Sequence, residues 1–504
     1  MESGTPLVAD RFFEAAAEWP DVTCVSQVDH EGRVVRRVTY GELARSVRRR
    51  AGELRDAGIG PGACVGVPVR NDTDSVVDLL AVASAGAAAV VVDANEPVLR
   101  RNEQLDEFCT HVLHDRRAHV HQPQTHLTDD DFGRTALAVF TTGSTAASRA
   151  VAQSHSAVTA NVLATAAHHR MAPGEVMACA LPISHVNGLH FGLLAPLYTG
   201  GSCLLFEKFE PLTYLGVLRR ERATRATTVP SLLQALLGRK RWPELPDLRY
   251  FVSAAAALPR QTASAVVERS GRPVVQGYGL SECMNFATTL PVDLPEDVYH
   301  KWFLAADVLP VGHAVAGCEV SVRTTEGTDA PLGAVGEVCV RGASLMTGYL
   351  GAPEATGQAL RDGWLHTGDL GRLDAGPDGS PPWLTLLGRK KNIAKCGGLA
   401  VSLEEIDRWL LTLPGVLEAC CVSRPDPQRG EAVTAFYVPS ADAPGHDEIS
   451  RHVERLFSAA ALGLRPTAVT ALPKLRSGKC DRRALSAEAA AHHDVNQQGT
   501  EQSR

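Results

Sequence analysis

The chain has no long apolar run, no extended basic stretch and no Cys-x-x-Cys pair, and each absence removes a class of function. Its most apolar segment, 81–92, is Ala-rich, ends at Asp93 and is too short to cross a bilayer. Lys and Arg number 50 against 57 Asp and Glu, a formal charge of −7. Basic clusters such as Arg48-Arg49-Arg50 are short and scattered, whereas a nucleic-acid binder needs a basic face. Neither nucleic acid nor membrane is therefore expected as a partner. The opening Met1-Glu-Ser-Gly-Thr-Pro6 lacks a positive region leading into an apolar one, so a secretory signal is not expected. Twelve cysteines stand singly apart from Cys420-Cys421. That usage indicates neither a paired-cysteine zinc site nor a redox pair, and it fits a reducing, cytoplasmic setting.

What is present reads as an enzyme-sized α/β protein. A length of 504 residues exceeds one hydrophobic core and predicts two or more domains. Strand-like runs alternate with helical patterns: Cys64-Val-Gly-Val-Pro-Val69 and Ala88-Ala-Val-Val-Val-Asp93 flank a helical stretch around 76–85, the mark of layered, largely parallel sheets. The turn-rich segment 374–382 is an excursion. After Leu384-Thr-Leu-Leu387 the character changes, and a compact unit of about 100 residues follows. Within it, Ser402 with Glu405 forms a capping-box start. Ile406, Trp409, Leu410 and Leu413 then share a helical face, strands are expected at 418–423 and 433–438, and a second helix presents Ile449, Val453 and Leu456. The expected division is a large N-terminal domain of layered sheets and helices (1–388), a small mobile α+β domain (389–487) and a polar, disordered tail (488–504).

The most informative segment is Val139-Phe-Thr-Thr-Gly-Ser-Thr-Ala-Ala-Ser-Arg-Ala-Val151. A strand runs into a hydroxyl-rich turn, where backbone N–H groups and the hydroxyls of Thr141, Thr142, Ser144 and Thr145 around Gly143 suit phosphate oxygens. It lacks the Gly-Lys-Ser/Thr ending of a Walker A loop. The segment resembles the phosphate loop of the adenylate-forming superfamily, and further motifs of that family follow in order. They are Gly277-Tyr-Gly-Leu-Ser-Glu282, Gly336-Glu-Val-Cys-Val-Arg-Gly342 with Gly348-Tyr349, Trp364-Leu-His-Thr-Gly-Asp369, Gly388-Arg389, and Pro473-Lys-Leu-Arg-Ser-Gly-Lys479. The resemblance spans roughly 38–482.

The resemblance implies an acyl-CoA ligase working through an acyl-AMP intermediate. ATP or acyl-AMP and coenzyme A would be substrates, and Mg²⁺ the metal. Tyr278 would stack on adenine, with Gly279, Ser281 and the backbone of 253–257, including Ala255 and Ala256, lining the nucleotide. Asp369 would accept from the ribose hydroxyls, assisted by Arg389, since a carboxylate is acceptor-only when ionised. Glu282 would hold Mg²⁺, a hard cation suited to oxygen ligands. Lys479 would bond the attacking carboxylate and the α-phosphate, stabilising charge in the transition state. His185 would gate the acyl pocket, bounded also by Ala254, Gly277 and Gly279; a core histidine bonded to a backbone carbonyl is the competing reading. Lys391 would be the hinge residue. Lys395, Gly397 and Gly398 would then face the thiol, the glycines admitting close approach of a pantetheine arm.

The phosphate loop departs from the family pattern at four positions. Ala146 and Ala150 replace glycines, Ser148 a proline and Arg149 a lysine, and arginine's planar fork is not equivalent at a tight phosphate site. Alanine at a position needing positive φ costs roughly 1–2 kcal/mol. A lost transition-state contact costs about 2.7–4 kcal/mol. A weakened adenylation step with retained thioester formation from a supplied acyl-AMP is one consequence, and it would require an upstream adenylating enzyme. Loading of a carrier-protein thiol and inert adenylate binding are the alternatives. No acidic residue after Pro182 suits a substrate ammonium, and the small residues at 254–257, 277 and 279 suggest a roomy pocket for a bulky or aromatic acid.

Overall fold

The computed structural model describes residues 8–114, 117–125, 135–141, 149–396, 399–440, 444–455, 457, 462–475 and 479–490. The alternating pattern produces two large sheets with helices between them. In one, seven-stranded, Cys64–Val69 and Ala88–Asp93 lie parallel, as do Ala88–Asp93 and Thr135–Phe140. The helix joining the first pair, Thr73–Ala85, begins where the Asp72 carboxylate accepts the Ser75 N–H and ends at Gly86 in the left-handed conformation. Ten of its residues are buried, so it is apolar around most of its circumference, as a helix between layers must be. The other sheet has nine strands, parallel through its centre and antiparallel at both ends. Two strands in that sheet, Tyr250–Ser253 and Val274–Gly279, end side by side. The turns beyond parallel strand ends are the usual place for a ligand.

A third sheet carries Gly336–Gly342, Trp364–Asp374 and Trp383–Arg389, the last two in antiparallel register with Asp369 opposite Arg389. The excursion 374–382 is the connection between those strands and includes a short 3-10 turn, Pro377–Gly379. From Ile393 onward the chain builds its own five-stranded sheet with a separate core around Ile406, Leu410, Val433, Ile449 and Val453. The helix of this unit, Leu403–Leu410, starts at Ser402, whose hydroxyl accepts the Glu405 N–H. It is shorter than the apolar spacing suggests, because Leu413 reaches the core from the turn that follows. The strands extend further than expected, to Val416–Asp426 and Gly430–Pro439. Leu456 and residues 491–504 lie outside the described residues. None of the described helices is long and apolar enough to cross a membrane.

The nine-stranded sheet holds a buried cation. Arg225 bonds the Tyr250 hydroxyl at 2.7 Å, the His169 carbonyl at 2.8 Å and the Glu175 carboxylate, which Arg249 also meets at 2.6 Å. Removing one partner of such a group strands the others without water. Arg225→Met is expected to lower unfolding stability by about 3–5 kcal/mol, read as a reduced denaturant midpoint. A change below about 1 kcal/mol would show that Glu175 is adequately held by Arg249 alone.

Candidate active site

The site grows from strand ends. Val274–Gly279 delivers Tyr278, which is 7% exposed and packed against Val311, Val322, Val338 and Leu384. Its hydroxyl donates to Asp369 Oδ2 at 2.8 Å. The other carboxylate oxygen, Oδ1, takes the Arg389 Nε at 2.8 Å. Asp369 itself is 6% exposed, and its N–H is fixed to the Thr367 hydroxyl at 3.0 Å. Burial pushes the Tyr278 phenol well above its ordinary value, reinforced by the Asp369 charge, so it remains a donor. The Asp369 charge in turn raises Arg389.

Beyond Tyr278 the chain makes the 3-10 turn Ser281–Cys283. The Ser281 carbonyl accepts from Gln153 at 3.0 Å, and the Glu282 carbonyl from the Met346 N–H at 2.8 Å. These bonds present the Glu282 carboxylate, whose Oε1 accepts from the Tyr349 hydroxyl at 2.8 Å. The Arg149 guanidinium lies 5.2 Å above the Tyr349 ring. Thr141 and Arg149 pair at the base of the phosphate segment, backbone to backbone at 2.9 Å and Arg149 N–H to the Thr141 hydroxyl at 3.2 Å. Thr142, Gly143, Ser144 and Thr145 lie outside the described residues, as do Ala146 and Ser148.

Lys479 comes from the C-terminal unit, held by a bridge between Lys474 and Cys480 and by its carbonyl accepting the Leu475 N–H at 2.8 Å. It shares its electrostatic surroundings with Arg389, Asp369, Glu282 and Lys391. Burial, with the Arg389 charge, pushes its ammonium down to about 8, and Asp369 and Glu282 oppose that shift. Lys391, also lowered by burial and by Arg389, sits on the short turn Lys390–Asn392 directly after Arg389. The C-terminal helix is tied to the preceding strand by Arg408, which donates to the Leu387 carbonyl at 3.0 Å.

Other expected residues fall further out. Lys395 is exposed on the strand Ile393–Cys396, its N–H on Glu431 at 2.6 Å; Gly397 and Gly398 lie outside the described residues. His185 lies one turn before the irregular helix Asn187–Leu194, with its N–H on the Pro182 carbonyl at 3.1 Å. Ala255 and Ala256 stand at the end of Tyr250–Ser253, and Ala255 has φ +68°, a conformation alanine adopts only under constraint. The two glycines are explained by packing. A Cβ on Gly277 would lie 2.7 Å from the Phe286 ring, and one on Gly279 only 1.4 Å from the Asn285 carbonyl oxygen. Their smallness admits a neighbouring strand, not a substrate. Ala254 is likewise buried in the core, whereas Ala255, Ala256 and Ala257 are not. Tyr349, Glu337 and Gln153 were not assigned roles from sequence. The first two stand inside family motifs, which was the available signal; Gln153 carried none.

Residues 12–131 and 111–350 match the family described as AMP-binding enzyme, and 405–479 match its C-terminal domain. A feruloyl-CoA synthase from Amycolatopsis is 30% identical over 427 residues, covering 80% of this chain and 84% of that protein. A sulfoacetate–CoA ligase from Cupriavidus necator is 28% identical and covers 93% and 95%. Among solved structures, ATP-bound MatB from Rhodopseudomonas palustris superposes with a TM-score of 0.81 at 24% identity, over 95% of this chain and 98% of that one.

With nucleotide binding thus expected at Asp369, Asp369→Asn should weaken AMP binding at least tenfold, about 1.4 kcal/mol, because it loses the charge that orders Arg389. Tyr278→Phe removes one neutral donor and should cost less. Titration calorimetry with AMP checks the ranking, and a reversed order would refute the assigned division of labour.

Proposed function

Because the chain belongs to the AMP-binding enzyme family, the adenylate-forming enzymes of acyl-CoA ligase type, we propose that it joins a carboxylic acid to coenzyme A through an acyl-AMP. The observation that carries this reading is the convergence of Lys479 with Asp369, Arg389 and Glu282. One site thereby holds acceptors for a ribose, a cation for an α-phosphate and a carboxylate for a metal. In the first step the acid's carboxylate oxygen attacks the α-phosphorus, the bond to the β-phosphate breaks and pyrophosphate departs. The Lys479 ammonium stabilises charge that grows on the α-phosphate oxygens. In the second, a thiolate sulfur attacks the acyl carbon and AMP leaves.

Mg²⁺ fits this arrangement as a hard ion for oxygen donors: Glu282 would hold it, oriented by Tyr349, and it would offset phosphate charge. Lys391 is the hinge residue in this reading, and Lys395 with Gly397 and Gly398 faces the thiol after the small domain turns. His185 stands at the acyl end. The chain on either side of it is apolar, with Ile183 and Leu189 in the core and Val186 packed against that core. An aromatic or bulky apolar acid suits such apolar flanks better than a dianion, and a relative named for a feruloyl substrate supports the choice.

A second reading is favoured by Arg149. Its guanidinium engages the Tyr349 ring, and the fork differs from the lysine of the family loop, so adenylation is weak and a supplied acyl-AMP is the effective substrate. The two are separated by mass spectrometry of acyl-CoA in two arms. One contains aromatic acids, ATP, Mg²⁺ and coenzyme A; the other contains the matching acyl-adenylates and coenzyme A. Product in both arms is expected from the leading reading, and product from the adenylates alone would establish the second. Product in neither arm, but from a carrier protein, would replace coenzyme A as the acceptor.

Lys479 supplies a pH test. Its charge is present below about 8 and lost as the pH rises through that value, whereas an ordinary lysine keeps its charge to about 10.4. The kcat/KM for ATP, which reports the free enzyme, is therefore expected to fall above pH 8 while the acyl-adenylate arm does not share that limb. Lys479→Ala should cost the ATP arm a hundredfold or more, about 2.7 kcal/mol, and spare the adenylate arm. Equal losses in both would refute the role.

A further inference from the structure

The strands Gly336–Gly342 and Trp364–Asp374 pair antiparallel, with Cys339 opposite His366. Residues two apart on a strand share a face, so Glu337 and Cys339 project together towards the histidine. The His366 Nδ1 is 3.1 Å from Glu337 Oε2 and 3.5 Å from the Cys339 Sγ. All three donor atoms lie within 4.8 Å of one another. Cys339 is fully buried, and the side chains of Glu337 and His366 are only 13% and 14% exposed.

Imidazole nitrogen, thiolate sulfur and carboxylate oxygen are the donors zinc takes. With metal distances of about 2.0–2.1 Å to N or O and about 2.3 Å to S, a tetrahedron has donor-to-donor edges of roughly 3.3–3.6 Å. Two edges of the cluster are already close to that, before any ion has drawn the ligands in. A cation already stands beside the cluster: the Lys390 ammonium is 3.1 Å from the same Glu337 oxygen. Lys390 is 54% exposed, so it can yield its place. Glu337 Oε1 meanwhile accepts the Gly368 N–H at 3.2 Å, immediately before Asp369.

We propose that Glu337, Cys339 and His366 form a binding site for a thiophilic divalent cation of the zinc class, in competition with Lys390, and that occupancy inhibits the enzyme. On capture the Cys339 S–H bond breaks, a metal–sulfur bond forms, the proton passes to solvent and the ion sheds water; nothing is oxidised or reduced. His366 binds through the Nδ1 lone pair in its Nε2–H tautomer. Water completes the fourth position. Inhibition follows because Glu337 is drawn away from Lys390, at the start of the hinge turn, and from the Gly368 N–H, which holds the turn leading into Asp369. Mg²⁺ does not compete, since a hard ion has little affinity for sulfur.

The test uses the full chain stripped with a chelator and titrated with Co²⁺ alone, a spectroscopic substitute for Zn²⁺. A thiolate-to-cobalt absorption saturating at one ion per chain is expected, and Zn²⁺ should displace it. Cys339→Ser should abolish the band while keeping thioester formation, which becomes insensitive to Zn²⁺. His366→Ala should weaken binding about tenfold or more. Lys390→Met should tighten it, a readout independent of how well the cysteine variant folds. No band, an unchanged band in Cys339→Ser, or unaltered affinity in Lys390→Met would each overturn the site. Zn²⁺ binding without loss of activity would overturn the inhibitory role.

Discussion

The Asp369 carboxylate is the constraint on which the site depends. One oxygen is held by the Tyr278 hydroxyl and the other by Arg389, so a single buried acid joins the nine-stranded sheet to the strand that leads into the C-terminal unit. A buried carboxylate is tolerable only when its lone pairs are met and its charge is balanced. That requirement makes Tyr278 a buried donor and keeps Arg389 at the end of its strand, in register across from the acid. The turn Lys390–Asn392, which leads into the C-terminal unit, begins at the next residue. The geometry of the proposed nucleotide site and the point where the C-terminal unit begins are therefore set by the same pair.

Much of this was legible in the sequence because the chemistry sits in contiguous motifs. Tyr278, Glu282, Asp369, Arg389 and Lys479 each stand in a segment whose spacing is local, and the fold brings their side chains into one electrostatic neighbourhood. The parallel layering around 64–93 was legible for a similar reason, since apolar runs of strand length flank a helical pattern. Residue size was a poorer guide at the two glycines. Gly277 and Gly279 read as empty space, yet the strand Phe286–Thr289 and the Asn285 carbonyl fill it. Glycine marks close approach without saying what approaches.

Partners supplied by distant strands were illegible. Tyr349 meets Glu282 across 67 positions, and Glu337 meets Gly368 and Lys390 across 31 and 53. The cluster of Glu337, Cys339 and His366 escaped a search for paired cysteines because its donors are of three kinds and come from two strands. Alternation along one strand and register with its neighbour were both needed, and a sequence states only the first. Lys479 shows the same limit from the other side: its motif was visible, while its neighbours, and hence its lowered affinity for a proton, were set by packing of the two units.

Charge balance explains why these units meet as they do. Arg389, Lys391 and Lys479 gather around Asp369, Glu282 and Glu404, three cations to three acids. Burial, with the Arg389 charge, is what lowers the lysines, and a polyanion beside them opposes that shift. A nucleotide that brings several negative charges stabilises the ammonium of Lys479 where it is needed, and departure of pyrophosphate removes much of that stabilisation. The cations then repel one another more strongly. The hydrogen bonds across that turn include Lys390 on Glu337 and both the Ser402 hydroxyl and Arg408 on the Leu387 carbonyl, and the first comes from an exposed lysine, worth about 1 kcal/mol or less. A loss of ligand charge is thus sufficient in sign to favour separation of Lys479 from the site, which in the proposed reaction would link the end of the first step to the second.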